Sequence, residues 1–176
     1  YPDFLCLTYG TGVGGAIVAG GRIYGGADGV AGEMGHILTH PDGLPCACGQ
    51  RGCYEQYASM SALLRSAQSS FPQIHNGREL FEKLSEQPEL AQIVAAWELE
   101  IVYGLVSLVH IFNPSLVVLG GGVMGQKSVL QGIRTLLYPR VMNSYRGVEI
   151  AGAQLGNHAG LYGAFTLARQ ALEEKI

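Results

Sequence analysis

Short apolar runs open the chain and longer helical periodicities follow. Asp3 to Thr8 and Gly14 to Val18 are β-rich runs joined through Gly10-Thr11-Gly12, and a third surrounds Arg22 to Tyr24 after Gly20-Gly21. Turn residues between short apolar runs predict a meander of antiparallel strands. Helical patterns then cover residues 59–69, 77–87 and 88–112. Pro88 sits in the first turn of the last, where its missing N–H costs nothing, and Asn113-Pro114 stops it. Ser115 to Leu119 is a continuous apolar run ending in Gly120-Gly121-Gly122, the pattern of a buried strand that opens into a loop. A helix over 127–142, a strand at Val148 to Ala151 and a helix over 158–172 complete the series. Strands first, then alternating strands and helices, predict one α/β domain over residues 1–176: a mixed sheet covered by helices.

Residues 27–54 break the pattern. They are Gly-rich, polar and aperiodic, and such a length is unusual for a connection unless it is functional or held by a ligand. The segment reads as a binding loop spanning about residues 27–55. Inside it His36, Cys46, Cys48 and Cys53 form H-x9-C-x-C-x4-C, with Gly49 and Gly52 supplying tight turns. One imidazole and three thiolates are a complete tetrahedral set for zinc, and a closed set is structural rather than hydrolytic. Two alternatives stand beside this reading: a Cys48–Cys53 disulfide with a spare thiol, and His40 in place of His36 as the fourth ligand. Cys6, in the first strand, reads as a buried small hydrophobe.

Two glycine loops are candidates for ligand contact. Gly10-Thr11-Gly12-Val13-Gly14-Gly15 matches G-x-G-x-x-G, with Glu33 near the place of a ribose-binding acid. The following Ala16-Ile17-Val18-Ala19-Gly20 reads as a strand, so no helix N-terminus is available for a pyrophosphate, and a dinucleotide fold is not expected. Gly-Thr-Gly in a β-turn can still offer successive N–H groups and a hydroxyl to a phosphate, or be a plain hairpin turn. Gly120 to Gly122 would let backbone approach a flat ligand, or serve a close strand-to-helix crossing.

Composition narrows the partner. Charged residues make up 14% of the chain, the net charge is -3, and no Lys/Arg cluster is present, which argues against nucleic acid or an anionic membrane and for a small molecule. The 26 glycines are roughly twice average usage and fall in turns, as tight ligand-facing loops require. The longest apolar stretch, Ile101 to Phe112, is shorter than the roughly 20 residues of a bilayer span, so no membrane segment is expected. The first residue is Tyr1 and a strand pattern begins at once, so the sequence reads as part of something longer. Three of the four cysteines crowd into positions 46–53, which favours a metal in a reducing compartment and hence the cytoplasm.

Gly10-Thr11-Gly12-Val13-Gly14-Gly15, Gly32-Glu33-Met34-Gly35-His36, Cys46-Ala47-Cys48-Gly49-Gln50-Arg51-Gly52-Cys53-Tyr54-Glu55, and Asn113-Pro114 leading to Gly120-Gly121-Gly122 together resemble the ROK family of sugar kinases and sugar-responsive repressors. Order and spacing agree across nearly the whole chain. The resemblance implies the actin-like, ribonuclease-H-like ATPase fold, with this chain as its C-terminal lobe, and ATP-dependent phosphorylation of a hexose at its 6-hydroxyl with Mg2+. It implies that Glu33 and Glu55 accept hydrogen bonds from sugar hydroxyls and that His36 ligates zinc beside the sugar. Thr11 and Gly12, with Gly10, are similar to the second phosphate loop, and Gly120, Gly121 and Gly122 to the adenosine-side loop. A homodimer is expected on the same ground. The alternative within the family is a repressor that binds sugar as effector and DNA through a separate domain. The family's first phosphate loop and catalytic Asp have no counterpart here. Asp3, Asp28 and Asp42 do not match that position, so the general base is expected outside this segment.

Overall fold

A computed structural model describes residues 1–173. Its sheet is mixed, in the order β3-β2-β1-β4-β5. Strands β1 (Phe4–Tyr9), β2 (Val13–Ala19) and β3 (Arg22–Ile23) form the expected antiparallel meander, with Tyr9 paired to Val13 across the Gly10–Gly12 turn. β4 (Leu116–Gly120) lies parallel to β1, and β5 (Glu149–Gly152) parallel to β4. Leu5, Leu7 and Tyr9 alternate into the core as the pleat requires, whereas β4, inside the sheet, is apolar almost throughout. Cys6 falls on the other face of β1 and is only half-buried, a correction to its reading as a core residue.

Among the described residues six α-helices accompany the sheet: α1 (Glu55–Ala58), α2 (Met60–Gln68), α3 (Gly77–Glu82), α4 (Pro88–Phe112), α5 (Lys127–Leu137) and α6 (Ala159–Glu173). Ser59 caps α2 by accepting the Ala62 N–H, and Asn76 caps α3 by accepting that of Glu79. α4 starts at Pro88 and ends at Asn113, whose φ of 45° closes the last turn before Pro114. Two helices are shorter than their patterns. α3 stops at Glu82 because Pro88 forces Gln87 into an extended conformation (φ -126°, ψ 93°) and the intervening residues become turns. α5 stops at Leu137 because Pro139 has no N–H to continue the ladder.

α4 organises the core. Leu90, Val94, Trp97, Ile101, Leu105 and Leu108 recur at three- and four-residue spacing, are buried, and meet Leu5, Leu7, Leu63 and Ile133 in one cluster. By length and composition alone this 25-residue helix could cross a bilayer, which counting the Ile101–Phe112 run overlooked; in the structure one face of it, this stripe, is buried in the core and the other is exposed. The Trp97 indole N–H donates to the carbonyls of Ala58 and Ser59, which locks α4 to the corner between α1 and α2.

Candidate functional site

The Gly10–Gly12 turn divides two clefts. One, of about 540 Å³, is lined by Thr8, Gly10 to Gly14, Glu33, His36, Glu55 and Gly121, together with Gly156, Ala159 and Gly160 around the start of α6. The other, of about 720 Å³, shares Gly10 and Thr11 and continues past Met60, Leu64, Arg78 and Phe81 to Gly122 and Gln126. Of the candidates from sequence, Gly10, Thr11, Gly12, Glu33, His36, Glu55 and Gly121 therefore meet in one cleft, and Gly122 faces the second. Gly120 lines neither, being the buried last residue of β4.

Glu55 stands at the centre because it opens α1 directly after Cys53 and Tyr54. Its Oε1 accepts from the Cys46 thiol at 3.1 Å and its Oε2 from the Val13 N–H at 3.4 Å, so the carboxylate bridges the cysteine loop and the start of β2. A Cβ at Gly12 would stand 2.4 Å from Oε2, so the turn can pass this close to the carboxylate only without a side chain. His36 sits between the two acids, Nδ1 3.9 Å from Glu55 and Nε2 3.8 Å from Glu33. Glu55 is largely buried, at 17% side-chain exposure, whereas Glu33 is open to solvent at 72%. A carboxylate only accepts, and two around one cleft suit a ligand rich in hydroxyl donors.

The donor atoms of His36, Cys46, Cys48 and Cys53 all lie within 4.8 Å of one another. Cys48 and Cys53 sulfurs are 3.6 Å apart and unbonded, and Cys46 Sγ is 3.7 Å from His36 Nδ1. Tetrahedral zinc with ordinary bond lengths separates sulfurs by about 3.8 Å and sulfur from nitrogen by about 3.6 Å, so the cluster fits that ion. A Cys48–Cys53 disulfide is not formed, and His40 is turned away towards Glu100. The loop is a short ribbon with bridges Leu38 to Cys53 and Pro45 to Arg51. Burial pushes the Cys53 thiol up to about 12, while the Gln50 backbone N–H draws Cys48 down.

Behind the clefts the Tyr54 hydroxyl donates to the Ile101 carbonyl at 2.7 Å and lies 2.8 Å from the Tyr9 hydroxyl. Tyr54 has one proton, so Tyr9 is the donor to it. Both rings are fully buried, and burial raises both phenols above their ordinary range. Of the acidic residues weighed as a base, Asp3 is engaged by the Gly20 N–H at 2.9 Å, and neither Asp28 nor Asp42 lines a cleft. Arg78, Phe81, Gln126, Gly156, Ala159 and Gly160 carried no signal in sequence, since only packing brings their segments to the glycine turns.

Residues 1–171 match the sequence profile of the ROK family. Among curated proteins, a glucokinase of Streptomyces coelicolor is 37% identical over 97% of this chain and 60% of its own length. A xylose repressor of Bacillus spizizenii is 31% identical over 93% of this chain and 43% of its own. Among solved structures, a ROK family glucokinase from Streptomyces griseus in complex with glucose and AMPPNP superposes with a TM-score of 0.88 and 35% identity, covering 97% of this chain and 61% of that one. The fold is thus that of ROK sugar kinase structures, the actin-like ATPase fold expected from sequence. The chain spans about 60% of the length of the glucokinases it matches.

Proposed function

The chain belongs to the ROK family, and on that premise we propose that its full-length protein transfers the γ-phosphoryl group of ATP, with Mg2+, to the 6-hydroxyl of a hexose or hexose derivative. The observation that carries this reading is the convergence of Glu33, His36 and Glu55 on a cleft that shares the Gly10-Thr11 turn with a second, larger cleft. Sugar hydroxyls would donate to Glu55 and Glu33. The transferred phosphoryl would lie against the Gly10–Gly12 turn, and the nucleoside would occupy the cleft of Phe81, Arg78 and Gly122. Holding both reactants on either side of one turn is the main contribution a protein makes to phosphoryl transfer.

His36, Cys46, Cys48 and Cys53 would hold zinc. Four protein donors leave no open coordination position, so the ion's chemistry is to fold the loop. A metal-bound thiolate has no proton to donate, which leaves Glu55 Oε1 free to accept from a sugar hydroxyl. The general base lies outside these residues. A homodimer and a cytoplasmic location belong to the same proposal.

The test is sugar-dependent ADP release by the full-length protein with glucose and a panel of hexose derivatives, in the unmodified form and as Glu55→Gln. Release that depends on sugar and falls at least a hundredfold in the variant supports the reading. The xylose repressor among the relatives favours one second reading, a sugar-responsive regulator. Saturable sugar binding without ADP release would establish that reading and remove the first.

A further inference from the structure

We propose that His40 and Glu100 are positioning residues for the cysteine cluster, forming a brace that ties the loop to the long core helix α4. The inference rests on the zinc reading above. Neither residue belongs to the four-donor cluster and neither lines the two clefts.

His40 has three side-chain partners. Its ring stacks on Tyr57 of α1 with centroids 3.8 Å apart and planes 18° from parallel, Nδ1 lies 3.1 Å from Thr39 Oγ1, and Nε2 lies 3.5 Å from Glu100 Oε2. Its backbone reaches the cluster directly. The His40 N–H donates to the carbonyl of Gly52, the residue before Cys53, and its own carbonyl accepts from Gly43. Gly52 donates in turn to Leu44, and Leu44 to the Tyr57 hydroxyl at 2.7 Å. The circuit His40–Gly52–Leu44–Tyr57–His40 thus closes behind the segment that carries Cys46 and Cys53, and the His40 side chain links it to α4 at Glu100, beside the separate ties that Tyr54 and Trp97 make between α1 and α4.

Glu100 supplies the reason to regard that connection as built. Its Oε2 is buried without a hydrogen-bond partner, since 3.5 Å is an ion-pair distance and a poor hydrogen bond. Native structures rarely leave such an atom unexplained. Burial pushes the carboxyl up and the His40 imidazole pulls it down, so the pair is electrostatically linked. The carboxylate has a counterpart only while the loop keeps its place.

Groups hydrogen-bonded directly to metal ligands change metal affinity by about 10- to 100-fold when removed; His40 and Glu100 act one backbone step away, so the low end, about tenfold, is the expected effect. The experiment loads the chain with zinc or Co2+ and follows transfer of the ion to a chromophoric chelator, with the thiolate–cobalt absorption reporting the ligand set and the far-UV melt reporting the core. His40→Phe keeps the stack on Tyr57 but removes the nitrogen; Glu100→Leu removes the acceptor; Glu100→Gln retains one. The brace predicts release accelerated about tenfold in His40→Phe and in Glu100→Leu, no further acceleration in the double variant, and return to within threefold in Glu100→Gln, with the melt not lowered. Release within twofold of the unmodified chain in both single variants, or effects that multiply in the double, would overturn the brace. Failure of the unmodified chain to take up either metal would instead refute the zinc reading itself.

Discussion

Replacing Gly52 by alanine tests the cysteine loop at its tightest point. Gly52 has φ +81°, and a Cβ there would stand 1.7 Å from the His40 carbonyl oxygen and 2.5 Å from its carbon. The left-handed backbone costs an L-residue roughly 1–2 kcal/mol. Alanine has no rotamer that escapes and the obstacle is backbone, so the His40 turn must withdraw. Withdrawal breaks the N–H bonds from Thr39 and His40 to the Gly52 carbonyl, 3.1 and 3.2 Å long, at about 1 kcal/mol each. The sum, about 3–4 kcal/mol, lowers zinc affinity by roughly 150- to 1000-fold. Gly49 is the control. It also has positive φ, +91°, but nothing lies within 4 Å of its Cβ position, so Gly49→Ala should lose only about tenfold. Zinc competition against a fluorescent chelator measures both, with thermal unfolding to show that the core packed around α4 is intact. Gly52→Ala binding zinc within threefold of the unmodified chain, or equal losses in the two variants, would refute the steric argument.

The metal itself is checked by mass spectrometry: about one zinc per chain, lost in Cys46→Ser or Cys48→Ser. Tyr54→Phe strands the buried Tyr9 hydroxyl and should cost about 1–3 kcal/mol by denaturant unfolding. Tyr9→Phe leaves Tyr54 bonded to Ile101 and should cost about 1 kcal/mol, with the double variant no worse than Tyr54→Phe. Glu98, packed against Gly132 of α5, is pushed by burial from 4.5 up to about 7. Because the folded form holds its proton more tightly, stability is full below 4.5 and falls as pH rises towards 7. Glu98→Gln should flatten that slope and add about 1–2 kcal/mol above pH 7, a figure reduced from the full shift because the group is half exposed. An unchanged slope would refute the assignment.

Local signals carried most of the fold. The alternation in β1, the continuous apolar β4 and the capping of α4 by Pro88 and Asn113 are written in neighbouring residues, and so were visible. The overlong readings of α3 and α5 come from weighing helical periodicity above Pro88 and Pro139, which act on the backbone before them. α1 was absorbed into the loop because four residues are too few to show a period. The cysteine cluster was legible as chemistry, but spacing could not separate His36 from His40. The fold separates them, with one imidazole facing the sulfurs and the other facing Glu100. The larger cleft was invisible because Arg78, Phe81 and Gln126 become neighbours only when α3 and the start of α5 pack beside the glycine turns.

The Tyr9–Tyr54 hydroxyl pair has a mechanical meaning. Tyr9 is the residue before the Gly10 turn, and Tyr54 lies between Cys53 and Glu55. Their phenols meet in the dry interior and are moored to the backbone of α4 through Ile101. The pair works as a spacer of set length between the Gly10–Gly12 turn and the Glu55 carboxylate. Under the sugar-kinase reading proposed above, a sugar whose acceptor hydroxyl sits one bond too near or too far could not be accommodated by sliding one wall against the other. On that reading, discrimination by reach would be set by two buried phenols, and relaxing it by mutation would require a change at this pair as well as in the residues that face the sugar.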